Sequence, residues 1–202
     1  MGTLYLASAS PRRVELLRRV GLKPRVIAAR IVERRLRGET PSAMVLRLAR
    51  SKAKEVAGRL AARGAKDGWV LAADTTVAVG SKVLEKPRDA GHAITMLRSL
   101  SGRVHTVTSG ICLMHLQGKP HEATAFVEAT RVFFRDLSDP EIRAYVATGE
   151  PLDKAGAYGI QGAAGAFVRR IEGDFYNVVG LPLARVVETL RTFAQNPGFP
   201  RF

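Results

Sequence analysis

The stretch LASASPRR, residues 6–13, reads as a strand emptying into a helix that begins with the wrong charge. Leu4 and Leu6 alternate with Tyr5 and Ala7 into a turn of small residues, Ser8 to Ser10. Ser10 stands where an N-cap belongs and Pro11 at the first helical position, so a helix is expected from Pro11. A helix N-terminus carries about half a positive charge and unpaired amides, which favour acidic side chains, yet this one opens with Arg12 and Arg13. Two accounts fit. In one, the amides, the hydroxyls of Ser8 and Ser10 and two guanidinium groups converge on an anion, for which phosphate is suited. In the other, two solvated arginines decorate an ordinary first turn.

The flanking segments alternate between helix and strand, without internal repeats. Strands are expected at 3–8 and 24–29, and Thr40-Pro41 opens a long helix ending near Arg63-Gly64. A strand at 69–73 follows. Val79-Gly80-Ser81-Lys82 then forms a two-residue hairpin between strands 74–79 and 82–86, in a register that sets Val79 opposite Lys82, Val77 opposite Leu84 and Thr75 opposite Lys86. Asp89 caps a helix that stops at Ser101-Gly102, and residues 103–115 and 120–134 make a longer hairpin around Gly118. Ser138-Asp139-Pro140-Glu141 is a capping box for a helix over 140–148. Five glycines between 149 and 166 precede a last hairpin turning at Glu172-Gly173-Asp174 and a C-terminal helix from about 181 to 194. This order predicts an α/β fold, a mixed twisted sheet with antiparallel hairpins flanked by helices, in two lobes around a cleft.

At 202 residues and 46% hydrophobic, the chain is large enough to bury a core as a single domain over 1–202. Its net charge of +14 suits polyanionic partners, either nucleic acid or small phosphorylated molecules. Aromatic residues make up only 6%, and no RNP, zinc-finger or KH pattern is present, which argues against a nucleic-acid module. No apolar run approaches the roughly 20 residues of a membrane span, and no basic region followed by an apolar one opens the chain, so a cytoplasmic location is expected. The lone Cys112, between Ile111 and Leu113, excludes an internal disulfide and reads as a buried strand thiol. P-loop, HExxH and paired-cysteine metal patterns are absent.

Three further segments carry chemistry. On the long helix, Val45, Leu48, Ala49 and Val56 form an apolar face with Lys52 in its middle. Either its stem packs while the ammonium reaches water, or the ammonium meets an anion in a cleft. In WVLAADTTV, residues 69–77, Asp74 is placed at the end of a buried strand, where a proton acceptor or metal ligand is commonly mounted; it is also a frequent turn former. In EPLDKAGAYGIQG, residues 150–162, small residues permit close approach of a ligand to the backbone, and Gln161 offers an amide able to read a base edge.

These stretches, with LASASPRRVELL, VLRLARSKA, AADTTV, LEKPRDAGHAITMLRSLSGRVHTV and IEGDFYNVVGLPLARV, run in order along nearly the whole chain. In them the sequence resembles the Maf family of nucleoside triphosphate pyrophosphatases. The resemblance implies a Maf/ITPase-like fold and hydrolysis between the α and β phosphates, giving a monophosphate and pyrophosphate with a divalent metal, Mg, Mn or Co. The form DKAGAYGIQG resembles the branch acting on dTTP and UTP, including modified pyrimidine nucleotides, in a pool-sanitising role. Carried over by motif, Asp74 is the proton acceptor and a metal ligand with Glu33. Arg12, Arg13, Lys52 and Lys86 bind the triphosphate, and Arg12, Thr75 and Gln161 match positions linked to substrate choice. In the family further acidic residues usually precede Glu33, where this chain has Ala29-Arg30-Ile31-Val32. A homodimer is implied, with neither a stable nucleic-acid partner nor a membrane. The alternatives are a nucleic-acid-binding or septum-regulating protein, and a broader nucleotide sanitiser with purine preference.

Overall fold

The computed structural model describes residues 3–116 and 120–193. In chain order its elements are β1 (Leu4–Leu6), α1 (Pro11–Arg19), β2 (Arg25–Val26), α2 (Pro41–Ala62), β3 (Trp69–Val79), β4 (Lys82–Leu84), α3 (Ala90–Leu100), β5 (Val104–His115), β6 (His121–Phe134), α4 (Asp139–Ala147), β7 (Val168–Glu172), α5 (Phe175–Val179) and α6 (Leu183–Phe193). The strands form one mixed sheet in the order β2-β1-β3-β5-β6-β7, with β4 on β3 off that path. β1 runs parallel to both neighbours, Leu6 facing Val26 of β2 and Leu71 of β3, and such pairs need crossovers like those through α1 and α2. β4 and β7 are antiparallel to β3 and β6. The α/β class with a mixed sheet and antiparallel hairpins is thus observed.

The chain divides into two compact units. The first takes the chain up to Asp74, Ser109–Glu128 and the chain from Gly180 on; the second takes Thr75–Thr108 and Ala129–Val179. In the first, α2 begins where the Thr40 hydroxyl accepts from the Ala43 amide at 3.2 Å and Pro41 supplies a preset first turn. Ala49, Ala53, Val56, Ala57 and Leu60 of this helix are buried with Val70 and Ala72 of β3 and Cys112 and Met114 of β5. The approach is close because Gly110 of β5 has no side chain: a Cβ there would lie 2.3 Å from the Val45 carbonyl oxygen. That packing fixes Lys52 on the buried side of the helix.

In the second unit, Val77, Leu97, Leu100, Phe134, Ile142 and Tyr145 belong to a separate core. The capping box at Ser138 and Glu141 is formed as expected, and the Asp89 carboxylate accepts from the His92 amide at 2.7 Å to start α3. His105 is buried here with its Nε2 2.8 Å from the Tyr158 hydroxyl, and burial lowers its pKa to about 4.

Four local expectations need correction. β3 is a single strand from Trp69 to Val79, so Asp74 lies within it and not at its end. The β-branched run Thr75-Thr76-Val77 continues the strand, and the carboxylate is tolerated inside because it is paired. The hairpin at Gly80, whose φ is +57°, keeps the expected pairs Val79 with Lys82 and Val77 with Leu84. β4 nevertheless stops at Leu84, where the next carbonyl, that of Glu85, accepts from the Gly156 amide, so Lys86 has no place in the ladder opposite Thr75. Glu172-Gly173-Asp174 turns no hairpin. The Asp174 carboxylate accepts from the Asn177 amide at 2.8 Å and starts the short helix α5 instead. Strands β1 and β2 are shorter than the expected 3–8 and 24–29. The expected turn at Gly118 and the helix end at 194 lie outside the described residues.

Candidate active site

The sequence delivers four charged side chains to one place in the first unit. Asp74 comes from β3, Lys52 from α2, Arg13 from the first turn of α1 and Glu33 from the irregular segment between β2 and α2. Lys52 is 6% exposed and Asp74 7%, and the Lys52 Nζ donates to Asp74 Oδ1 at 2.7 Å. The same ammonium donates to Glu33 Oε2 at 2.7 Å, although the Glu33 side chain keeps 52% of its surface exposed. Of the two accounts of Lys52, escape to water is overturned: its ammonium is buried between two carboxylates.

Arg13, 8% exposed, lies behind this trio. Its Nε donates to the Gly180 carbonyl at 2.8 Å, and its Nη1 donates to the Ala73 carbonyl at 2.7 Å and the Ser8 hydroxyl at 3.0 Å. The arginine therefore grips the backbone of β3 one residue before Asp74. Ser8 Oγ also accepts from the Ser10 amide at 3.2 Å, and the Ser10 side chain makes no cap bond, so α1 starts on the geometry of Ser10 and Pro11 without a side-chain cap. No acidic residue stands in its first turn.

Electrostatics follow from burial. Loss of solvent raises the Asp74 carboxyl above the ordinary carboxylate range; Lys52 and Arg13 oppose the rise, and Glu33 adds to it. Burial likewise lowers the Arg13 pKa against the pull of Asp74 and Glu33. A carboxylate shifted upward is a better proton acceptor near neutrality, and the Lys52 ammonium fixes the orientation of this one.

Ser8, Ser10, Arg13, Glu33, Lys52 and Asp74 are brought together in this way. Arg12 is half-buried in the same first turn of α1. Thr75, half-buried, follows Asp74 and points to the other side of the strand. Lys86 and Gln161 are exposed residues of the second unit. Sequence reasoning missed the carbonyls of Ala73 and Gly180, which hold Arg13. Backbone acceptors leave no mark on residue type, so no signal was there to find.

Among the described residues no group of three or more His, Cys, Asp or Glu is arranged to hold a metal ion. Two carboxylates nevertheless share one cation here, the Lys52 ammonium. That pair fits a Mg-type ion, which commonly takes one or two protein carboxylates and completes its shell with water and substrate phosphates.

The α/β sheet thus carries a buried carboxylate set among cations, a charge arrangement suited to a phosphorylated substrate. Residues 3–193 match the family model described as Maf-like protein. The chain belongs to the Maf family. It is 47% identical to the dTTP/UTP pyrophosphatase of Pelotomaculum thermopropionicum, covering 97% of this chain and 99% of that one. It is 51% identical to the dTTP/UTP pyrophosphatase of Escherichia coli strain K12, covering 96% and 94%. Among solved structures, a nucleoside-triphosphatase, or dITP/XTP pyrophosphatase, of Mycobacterium abscessus is similar at 13% identity over 65% of this chain and 72% of that one, with a TM-score of 0.35.

Proposed function

We propose that this protein hydrolyses dTTP and UTP to the monophosphate and pyrophosphate. Relatives matched over nearly their whole length carry that activity in their names, and the buried Asp74 held by Lys52 is the observation in this chain that carries the chemistry. In the reaction water attacks the α-phosphorus, its proton passes to Asp74, and the bond to the bridging oxygen breaks to release pyrophosphate. Lys52, 2.7 Å from the acceptor, stabilises the carboxylate before transfer and supplies positive charge as negative charge builds on the phosphates. Arg13 adds a fixed positive charge and anchors the strand that carries Asp74. Asp74 and Glu33 would hold a divalent cation, Mg, Mn or Co, which neutralises phosphate charge when bound.

Ser8, Ser10, Arg12 and Lys86 are proposed as further triphosphate ligands, and Arg12, Thr75 and Gln161 as the residues that choose the base. Modified pyrimidine nucleotides fall within the same choice, which makes the enzyme a cleanser of the cytoplasmic nucleotide pool. Among the described residues no helix is long and apolar enough to cross a membrane. A homodimer without a stable nucleic-acid partner is proposed on the family resemblance.

The deciding experiment is a product assay over the common and modified triphosphates with Mg, Mn and Co in turn. Pyrophosphate released fastest from dTTP and UTP is expected. Orthophosphate as the product, a purine as the best substrate, or salt-sensitive nucleic-acid affinity with no turnover would each overturn the proposal.

A further inference from the structure

The segment after α4 is built around one carboxylate that the catalytic cluster does not use. Glu150 Oε1 accepts from the Tyr145 hydroxyl at 2.9 Å, and Glu150 Oε2 accepts from the Ala163 amide at 3.2 Å. The same Tyr145 hydroxyl accepts from the Gly159 amide at 3.2 Å. Between these two tethered amides the chain makes a tight turn, closed by the Gly162 amide on the Gly159 carbonyl at 3.0 Å. The exposed Gln161 stands in that turn. Glu150 fits against it so closely that a Cβ on Gly162 would come within 2.1 Å of its carboxylate.

An exposed turn with two glycines has many conformations available, and a side chain on it can select one ligand only if the turn is held. Here both ends are held by one tyrosine–glutamate pair, and Tyr145 itself is a buried core residue of α4. We infer that Glu150 and Tyr145 are positioning residues for base selection, locking the 159–163 turn so that the Gln161 amide is presented in one orientation. The inference rests on the proposed role of Gln161 in substrate choice.

The test compares E150A, Y145F, Q161A and the doubles E150A/Q161A and Y145F/Q161A, measuring kcat and KM for dTTP and dGTP along with thermal unfolding. E150A removes both acceptors, and Y145F removes the hydroxyl while keeping the ring in the core. Each single variant is expected to lose about tenfold of the dTTP-over-dGTP ratio in kcat/KM, the size of one oriented hydrogen bond, with the loss in KM and kcat within about threefold. In the Q161A background neither change should lower the ratio further, because a group acting through Gln161 has nothing left to act on. If E150A fails to fold, Y145F decides the question. A ratio lowered by Q161A and untouched by the tether variants overturns the positioning role alone, as does a loss that adds to that of Q161A. A ratio untouched by Q161A removes Gln161 from base selection, and the inference falls with it.

Discussion

Lys52, in the first unit, and Lys154, in the second, are both drawn out of solvent, but by partners of different kinds. The Lys52 ammonium is held by two carboxylates from segments 19 and 22 residues away, one of them buried. That of Lys154 donates to the Glu150 carbonyl at 2.6 Å and to the exposed Asp153 carboxylate at 2.7 Å, both within four residues. The first arrangement concentrates charge where water is scarce, so it shifts proton affinity and can do acid–base work. The second staples a glycine-rich segment to itself. Shape, and with it recognition, is what that segment has to offer.

The largest contrast is expected between methionine variants of the two lysines. K52M leaves Asp74 buried without its partner, so it should lose ~3 kcal/mol or more of stability at neutral pH and about thirtyfold or more in kcat/KM. K52M/D74N should recover much of that stability and none of the activity, because the uncompensated charge is gone. Denaturant unfolding and steady-state kinetics read both. A stable K52M with wild-type kcat/KM would remove Lys52 from the chemistry.

A smaller effect contrasts the buried titratable groups of the two units. Asp74 is paired, whereas His105 is kept neutral by burial, its pKa lowered from 6.5 to about 4. Below pH 6.5 the unfolded chain takes up a proton that the folded one refuses, so this contribution to stability is complete above pH 6.5. It is lost as pH falls toward 4, amounting to ~3 kcal/mol at most. H105Q, which keeps a polar partner for Tyr158, should flatten that slope in unfolding measured from pH 7 to 4; an unchanged slope would assign it to other groups. Smallest is K154M, with ~1 kcal/mol expected from a hydrogen bond to a carbonyl and an ion pair to an exposed carboxylate. A loss as large as that of K52M would erase the distinction between the two lysines.

What the sequence revealed of all this follows the range of the interactions. Caps at Thr40, Asp89 and Ser138 and the Gly80 hairpin are set within a few residues, and each stands where local reading puts it. Lys52 announced itself as a charge on an apolar face. Its two carboxylates, however, arrive from other elements, and no periodicity specifies them. Asp74 looked like a strand end because an isolated carboxylate breaks an apolar run; the β-branched residues after it continue the strand, and Lys52 compensates the buried charge. Glu172-Gly173-Asp174 has the composition of a turn, and a side-chain cap to Asn177 directs it into a helix. Arg13 points inward to carbonyls of Ala73 and Gly180, acceptors that the folded backbone alone supplies.

The most direct test of the central claim, that the buried Asp74 is the proton acceptor, is pyrophosphate release from dTTP by the wild-type protein and by D74N at matched metal concentration, with nucleotide affinity measured on both. The amide keeps the shape of the carboxylate and cannot take the proton. Turnover is expected to fall by about a thousandfold or more while nucleotide affinity stays within about tenfold. D74N turning over at the wild-type rate would contradict the account.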